Sequence, residues 1–363
     1  MFGLGKNSFL GIDVGTSAIK VVEVKVKNKK PVLSNYAWVG LESFSGEDEK
    51  TIETETGWSA YLKQLIKASK IKSRNAYVSI PAFGGLITLI EFPEMSKGEL
   101  DQAIKFEAHK YIPTSLDDIV LSWDIVGTKN EVKLPNNNPS SEQQPPSAQK
   151  VQVLLVAAPK TRVAKSEKLI RDVGLNLKSI EIESFAIVRS LVGNDQGNFV
   201  IVDIGSRVCN IVLVEKGVIK VNRNIDAGGK DITKTVARSF GVEEERAEEM
   251  KIIGQNFLEE EMKMTFPALE NIAGEIKRVL SAYYKDDQVD QVDSIILSGG
   301  TANLKGVEKY FNDALKIKTT IGNPLGRIEY DKKLESKLKT LKPQLTVAVG
   351  LALKGVEEYL KNK

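Results

Sequence analysis

The chain almost lacks the residues that soft metals and redox chemistry need, with one cysteine, Cys209, and one histidine, His109. A single cysteine excludes an internal disulfide framework and a thiolate cluster. A single histidine excludes histidine-rich metal sites and argues against histidine-based acid–base catalysis. No apolar run approaches the roughly 18 residues of a membrane span, and the opening MFGLGKNSFLG is too short in apolar residues for a signal peptide. An excess of one charge is also missing. Against 51 basic residues stand 48 acidic ones, a net +3 that gives no global reason to bind nucleic acid or an anionic membrane, although a basic patch can exist locally. The expected setting is the cytosol, with any membrane role running through a partner. What is present is bulk: 363 residues, 42% of them hydrophobic, suffice for two or more domains with buried cores.

An internal repeat is the most informative positive feature. FLGIDVGTSAIKVVEV, from Phe9 to Val24, reads as strand, Asp-x-Gly-Thr turn, strand. FVIVDIGSRVCNIVLV, from Phe199 to Val214, repeats it with Asp203 for Asp13, Gly205 for Gly15 and Ser206 for Thr16. Asp-Gly turns are common hairpin punctuation, but here the hydroxyl and the flanking apolar pattern recur as well. Neither turn is followed by a Walker lysine. A third glycine turn lies in SIILSGGTANLKGVEKYF, where a buried strand runs through Gly299, Gly300 and Thr301 into an expected amphipathic helix bearing Leu304, Val307 and Phe311. A helix N-terminus after small residues would let backbone N–H groups approach a nucleotide. QLTVAVGLALKGVEEYL reads as a small-residue helix in which Gly350 suits either close helix contact at a hinge or plain packing.

Elsewhere the texture is α/β. NAYVSIP, LITLIEFP and VQVLLVAAPK read as strands, SKGELDQAIKFEAHKYIP as an amphipathic helix ended by Pro113, and Thr161 to Val173 as another helix. PNNNPSSEQQPPSAQ, residues 135–149, has the composition of a disordered loop. Residues 231–284 read as helical and charged, with VEEERAEEMK a solvated face.

Together these motifs resemble the actin-like ATPase superfamily. GIDVGTSAIK stands where its first phosphate loop does, VIVDIGSRVCNIVL the second and IILSGGTANLKG the adenosine motif, with IEIESFAIVRSLVG and LTVAVGLALKG similar to its two hinge helices. FPEMSKGELDQAIKFEAHKYIP and VQVLLVAAPKTRVAKSEKLIRDVGLNLKSIEIESFAI resemble the PilM family of type IV pilus assembly proteins, with FtsA next. The resemblance implies an α/β actin-like ATPase fold: two lobes with duplicated RNase H-like domains, a 1C-type subdomain in lobe 1 and a 2B subdomain in lobe 2. Residues 1–80, 159–193 and 340–363 would form 1A, 81–158 subdomain 1C, 194–227 and 294–339 subdomain 2A, and 228–293 subdomain 2B. The chain's ending at Lys363, a few residues past the last helix, favours PilM over FtsA, which carries a linker and a membrane-binding helix.

The implied cofactors are ATP and Mg²⁺. A carboxylate cannot touch a triphosphate without repulsion, so Asp13 and Asp203 are expected to share Mg²⁺ through its waters, although turn capping explains either one alone. Gly15, Thr16, Ser17 and Lys20 from the first turn, and Gly205 and Ser206 from the second, are candidates for the phosphates. Gly228 and Gly229 are expected to permit close approach to phosphate, and Gly299, Gly300 and Thr301 to meet the adenosine. Glu248 and Lys251 fall where the family contacts ribose and adenine, or else form a plain i,i+3 pair. Glu183 falls where DnaK-type chaperones position the attacking water, or else begins a helix in a salt bridge. No equivalent of the chaperones' phosphate-contacting lysine can be assigned, so at most a slow ATPase is expected.

The implied partner is the N-terminal peptide of a PilN-like inner-membrane protein, held in a groove between 1A and 1C. Phe106, Tyr111 and the strand Leu86 to Phe92 are candidates to line that groove or to pack 1C. Pilus motor ATPases are a further implied contact, while nucleic acid and direct membrane insertion are not expected. The chain would then sit in the cytoplasm, peripheral to the inner membrane through its partner. An FtsA-like filament-forming cell-division protein is the alternative, and a sugar or acid kinase a more distant one.

Overall fold

The computed structural model describes residues 7–40, 55–112, 114–129, 150–262, 264–284 and 292–363. The proposed disordered loop at 135–149 lies outside them. Two compact units are present, residues 84–163 and the remainder.

The larger unit holds two five-stranded sheets of one design. The first begins with β1 (Ser8–Val14), β2 (Ala18–Lys27) and β3 (Lys30–Gly40) as an antiparallel meander, followed by α1 (Glu55–Ala68) and β4 (Asn75–Ile80). The chain then forms the smaller unit: β5 (Leu86–Pro93), α2 (Lys97–Ala108), β6 (Ile119–Lys129) and β7 (Lys150–Pro159). After α3 (Lys160–Val173), β8 (Asn176–Ile182) pairs parallel to β4, giving the order β3-β2-β1-β4-β8. α4 (Glu183–Leu191) leads to β9 (Asn198–Ile204), β10 (Cys209–Glu215) and β11 (Val218–Ile225). Helices α5 (Gly229–Phe240), α6 (Glu244–Ile252) and α7 (Pro267–Tyr283) follow. Next come β12 (Ser294–Ser298), α8 (Val307–Leu315) and β13 (Thr319–Ile321), completing the order β11-β10-β9-β12-β13. Short α9 (Glu335–Leu341) and long α10 (Thr346–Lys361) close the chain. The strand order repeats as the sequence repeat does, and β1 and β9 are the corresponding central strands.

Both central strands are apolar on both faces because helices cover both sides of these mixed sheets. Leu10, Ile12, Val21 and Val78 form a core with Leu62 and Ile66 of α1 and Ile170 of α3. Val200, Val202, Ile211 and Leu213 form another with Ile232, Ile272 and Phe311. Close approach on the first sheet rests on glycine. A Cβ on Gly11 would lie 1.9 Å from the Ala348 carbonyl oxygen of α10, and one on Gly350 would lie 1.9 Å from the Ala186 carbonyl oxygen of α4. The latter settles Gly350 as a helix-contact glycine.

The smaller unit has a three-stranded sheet, β5-β7-β6, with α2 packed on it. Ser96 caps α2 in a reciprocal capping box with Glu99. Ile90 and Phe92 go into this core with Ile104, so of the two readings of this strand, groove lining or packing, these residues take the second. Phe106 and Tyr111 are instead exposed, at 73% and 43%.

Candidate functional site

The two repeated turns are built alike. Gly15 N–H donates to the Ala18 carbonyl at 3.0 Å and Gly205 N–H to the Val208 carbonyl at 3.0 Å. The glycine N–H groups are therefore spent closing the turns. The N–H groups of Thr16 and Ser17, and of Ser206 and Arg207 in the twin, have no acceptor among the described residues and are the donors left for an anion.

The registers place Lys20 directly across from Asp13, and Asn210 directly across from Asp203. Lys20 Nζ lies 3.0 Å from Asp13 Oδ2 in a largely buried pair. Burial pulls the Lys20 ammonium down, but Asp13, then Asp203 and Glu183, outweigh it and leave its pKa raised. Burial likewise raises the Asp203 carboxyl, with Asp13 adding to the rise, while a hydrogen bond from Ser298 and the charge of Lys20 oppose it. One lysine thus serves three carboxylates.

Glu183 stands at the start of α4, directly after β8, and accepts the N–H of Ala82 at 3.0 Å. It is not in a salt bridge, so that alternative for its position falls away among the described residues. Burial pushes its carboxyl up to about 8 despite the Ala82 hydrogen bond, with Asp203 and Asp13 adding and Lys20 opposing. Next to it, Ser184 donates to Asn222 Oδ1 at 2.7 Å and accepts from Asn210 Nδ2 at 2.9 Å, tying α4 to β10 and β11.

The glycine turns pack closely against one another. A Cβ on Gly228 would lie 2.4 Å from the Ser206 carbonyl oxygen. The N–H groups of Gly229 and Lys230 donate to the Gly205 and Ser206 carbonyls at 2.9 and 2.8 Å. These glycines allow close approach of the second phosphate-type turn itself, because two backbones meet there without room for a side chain. A Cβ on Gly229 would also lie 2.9 Å from Thr301 Oγ1, so the third turn joins the same place. That turn does not run straight into a helix. Residues Gly300–Asn303 form a short 3-10 turn and α8 starts only at Val307, after Gly306 at φ 87° breaks the helical path. Gly299, at φ 83°, sits against the Ile204 backbone at the end of β9, where a Cβ would come within 2.4 Å of the Ile204 carbonyl oxygen.

Glu248 and Lys251 do form the i,i+3 pair, at 2.7 Å. Lys251 is mostly buried and also donates to the Gly229 carbonyl at 3.1 Å and to Thr233 at 2.7 Å. The pair therefore braces the glycine turn against α6.

Sequence reasoning missed Ser298, Asn210 and Ala82. Ser298 was readable as the last strand residue before the glycine pair, and Asn210 as the one polar residue in an apolar run. Ala82 was not readable, since its role is a backbone contact. Among the described residues no three His, Cys, Asp or Glu side chains converge closely enough to hold a metal ion alone. Asp13 and Asp203 fit a cation completed by water and phosphate oxygens. Asn210 Oδ1, buried in the register position beside Asp203, has no hydrogen-bond partner and leaves an acceptor of the kind a metal-bound water satisfies.

Two sheets of one topology, with a matched aspartate turn at the end of each central strand, define an actin-like ATPase fold. Residues 11–356 match the family described as type IV pilus assembly protein PilM, and the chain belongs to that family. A solved PilM–PilN type IV pilus biogenesis complex contains a chain 25% identical to this one, with TM-score 0.76 over 98% of this chain and 99% of that one. The ethanolamine utilization protein EutJ of Carboxydothermus hydrogenoformans shares the fold at TM-score 0.56 and 17% identity, over 95% and 89% of the two chains. ADP-bound MreB5 of Spiroplasma citri shares it at TM-score 0.54 and 13% identity, over 98% and 99%. No helix among the described residues is long and apolar enough to cross a membrane.

Proposed function

We propose that this pilus assembly protein is an ATP-binding adaptor of the inner-membrane platform that holds the N-terminal peptide of a PilN-like membrane protein. The observation that carries the nucleotide part is the twin turns, whose Asp13 and Asp203 both bear on Lys20. The ADP-bound MreB5 relative and the PilN complex of a PilM relative support the two halves of the reading. Subdomains 1A, 1C, 2A and 2B are proposed at the boundaries given above.

In this reading the N–H groups and hydroxyls of Thr16, Ser17 and Ser206 donate to phosphate oxygens. Asp13 and Asp203 would hold Mg²⁺ with water and phosphate oxygens completing its shell, and Asn210 and Ser298 flank Asp203. When bound, Mg²⁺ neutralises charge on the β- and γ-phosphates. Lys20 offsets the carboxylate excess, and Lys251 keeps the Gly228–Gly229 turn seated. Glu183 is held by the Ala82 N–H and, with its carboxyl pushed up by burial, is mostly protonated at neutral pH without nucleotide, so only its minority carboxylate form can accept a proton from water. The chain is peripheral to the membrane through its partner, with Phe106 and Tyr111 as anchors for the peptide.

Calorimetry with Mg-ATP tests the site. Asp13→Ala and Asp203→Ala are each expected to weaken binding at least about tenfold, roughly 1.4 kcal/mol, and Glu183→Ala far less. Absence of nucleotide affinity in the wild type would defeat the assignment. A synthetic PilN-type N-terminal peptide is expected to bind in the micromolar range, and Phe106→Ala to weaken it. Filament formation without affinity for such a peptide would favour the FtsA-like alternative.

A further inference from the structure

We propose that the end of the first sheet remote from Asp13 is a cationic docking face for the anionic phospholipid headgroups of a bilayer; this rests on the reading of the chain as a membrane-platform component. β1 runs from Ser8 to Val14, and its first residue pairs with Lys25 near the tip of the β2–β3 hairpin. β4 is parallel to β1, so the α1–β4 connection lies at the same end. The two loops are joined there. Ser73 Oγ donates to the Ser8 carbonyl at 2.7 Å, and Ser73 N–H donates to Glu23 at 2.7 Å. This end is about 17 Å along the strand from Asp13, at roughly 3.3 Å per residue.

The hairpin tip presents Lys27, Lys29 and Lys30, and the connection presents Lys70, Lys72 and Arg74, all exposed. Lys30 is offset by Glu329 at 2.8 Å, whereas the other five make no ion pair among the described residues. The nearby acid, Glu23, is 1% exposed and turned inward to Ser8, Lys72 N–H and Ser73 N–H, so it does not neutralise the surface. Sequence shows the same bias: residues 57–90 contain five basic side chains and no acidic one, in a chain whose total is close to balance.

The favoured occupant follows from what accompanies the charge. None of the exposed large apolar side chains lies in either loop, so the face offers no rings for stacking on bases and no wedge for insertion. What it offers is a set of flexible ammonium and guanidinium groups, which suits the diffuse negative potential of an anionic leaflet. Each base near such a surface contributes about a fivefold factor to partitioning, weak alone but additive to a tether through a membrane-anchored partner.

The test is co-sedimentation of the purified full chain, without partner or nucleotide, with phosphatidylglycerol-containing vesicles and with pure phosphatidylcholine vesicles. Binding is expected only to the anionic vesicles and is expected to fall as ionic strength rises. The charge reversal K29E/K72E/R74E is expected to lower partitioning at least about tenfold, and the milder K29Q/K72Q/R74Q to lower it less, with unchanged circular dichroism. K305E/K318E/K332E, an equal change of charge elsewhere, is expected to retain binding. Failure of the wild type to bind, equal binding to neutral vesicles, an equal loss in the control triple, or effective competition by duplex DNA would each overturn the proposal. Because neither ATP nor peptide is present, these outcomes are independent of the calorimetric test of the nucleotide and partner assignments.

Discussion

Lys20 and Asn210 occupy the same place in the two halves of the repeat, across from Asp13 and Asp203. The duplication keeps both aspartates but only one cation, so three carboxylates share a single ammonium. Burial pushes the Glu183 carboxyl up to about 8 from an ordinary 4.5, with the charges of Asp203 and Asp13 adding to the rise. A carboxyl that binds its proton more tightly in the folded state stabilises that state while protonated, and stability then falls as pH rises between those two values. In chelator and without nucleotide, stability is expected to decline across this window by on the order of a few kcal/mol at most, read as a falling melting temperature. Glu183→Gln, which keeps the Ala82 hydrogen bond without the ionisation, is expected to flatten the decline. Parallel pH profiles for the two proteins would show that another group is responsible.

At the scale of elements, α4 and α10 are the pieces on which the site turns. α4 begins with Glu183 and Ser184, one bonded to Ala82 and the other to the second sheet. Its other end is anchored by Arg189, which pairs with Glu181 at 2.6 Å and donates to the Gly350 carbonyl at 3.1 Å. Gly350 sets how near α10 can come, since any Cβ there would strike the α4 backbone. Backbone cannot move aside as a flexible side chain can. Gly350→Ala is therefore expected to cost about 1–3 kcal/mol, read as a fall in denaturation midpoint, and to weaken nucleotide binding by shifting α4 away from β10. An unchanged midpoint would mean that the helices part without loss.

At the scale of the whole molecule, residues 84–163 form a unit with a core of its own, centred on Leu100, Ile104, Val153 and Leu155. Ile104 is fully buried there. Ile104→Ala is expected to destabilise that unit by about 2–5 kcal/mol, seen as faster hydrogen exchange within residues 84–163, while Mg-ATP affinity stays within about twofold, or roughly 0.4 kcal/mol. A matching loss of affinity would show that the nucleotide site draws on this core.

Sequence alone determined the features that depend on local order. The alternation of apolar runs and Asp-x-Gly turns specified two equivalent strand units, because a turn that needs glycine and a strand buried on both faces leave few other readings. The spacing of apolar residues in SKGELDQAIKFEAHKYIP marked α2 in the same local way. The family's motifs, read in order, carried the fold from there. Tertiary structure decided what contacts between distant residues decide. It placed Lys20 against Asp13, put the Ala82 N–H on Glu183, and set Gly228 against the Ser206 backbone. It also gathered two lysine-rich loops, some forty residues apart, at one end of a sheet. The first three pairings leave no periodic or compositional trace, since a side-chain partner, a backbone donor or a missing Cβ looks the same in sequence whatever it meets across space.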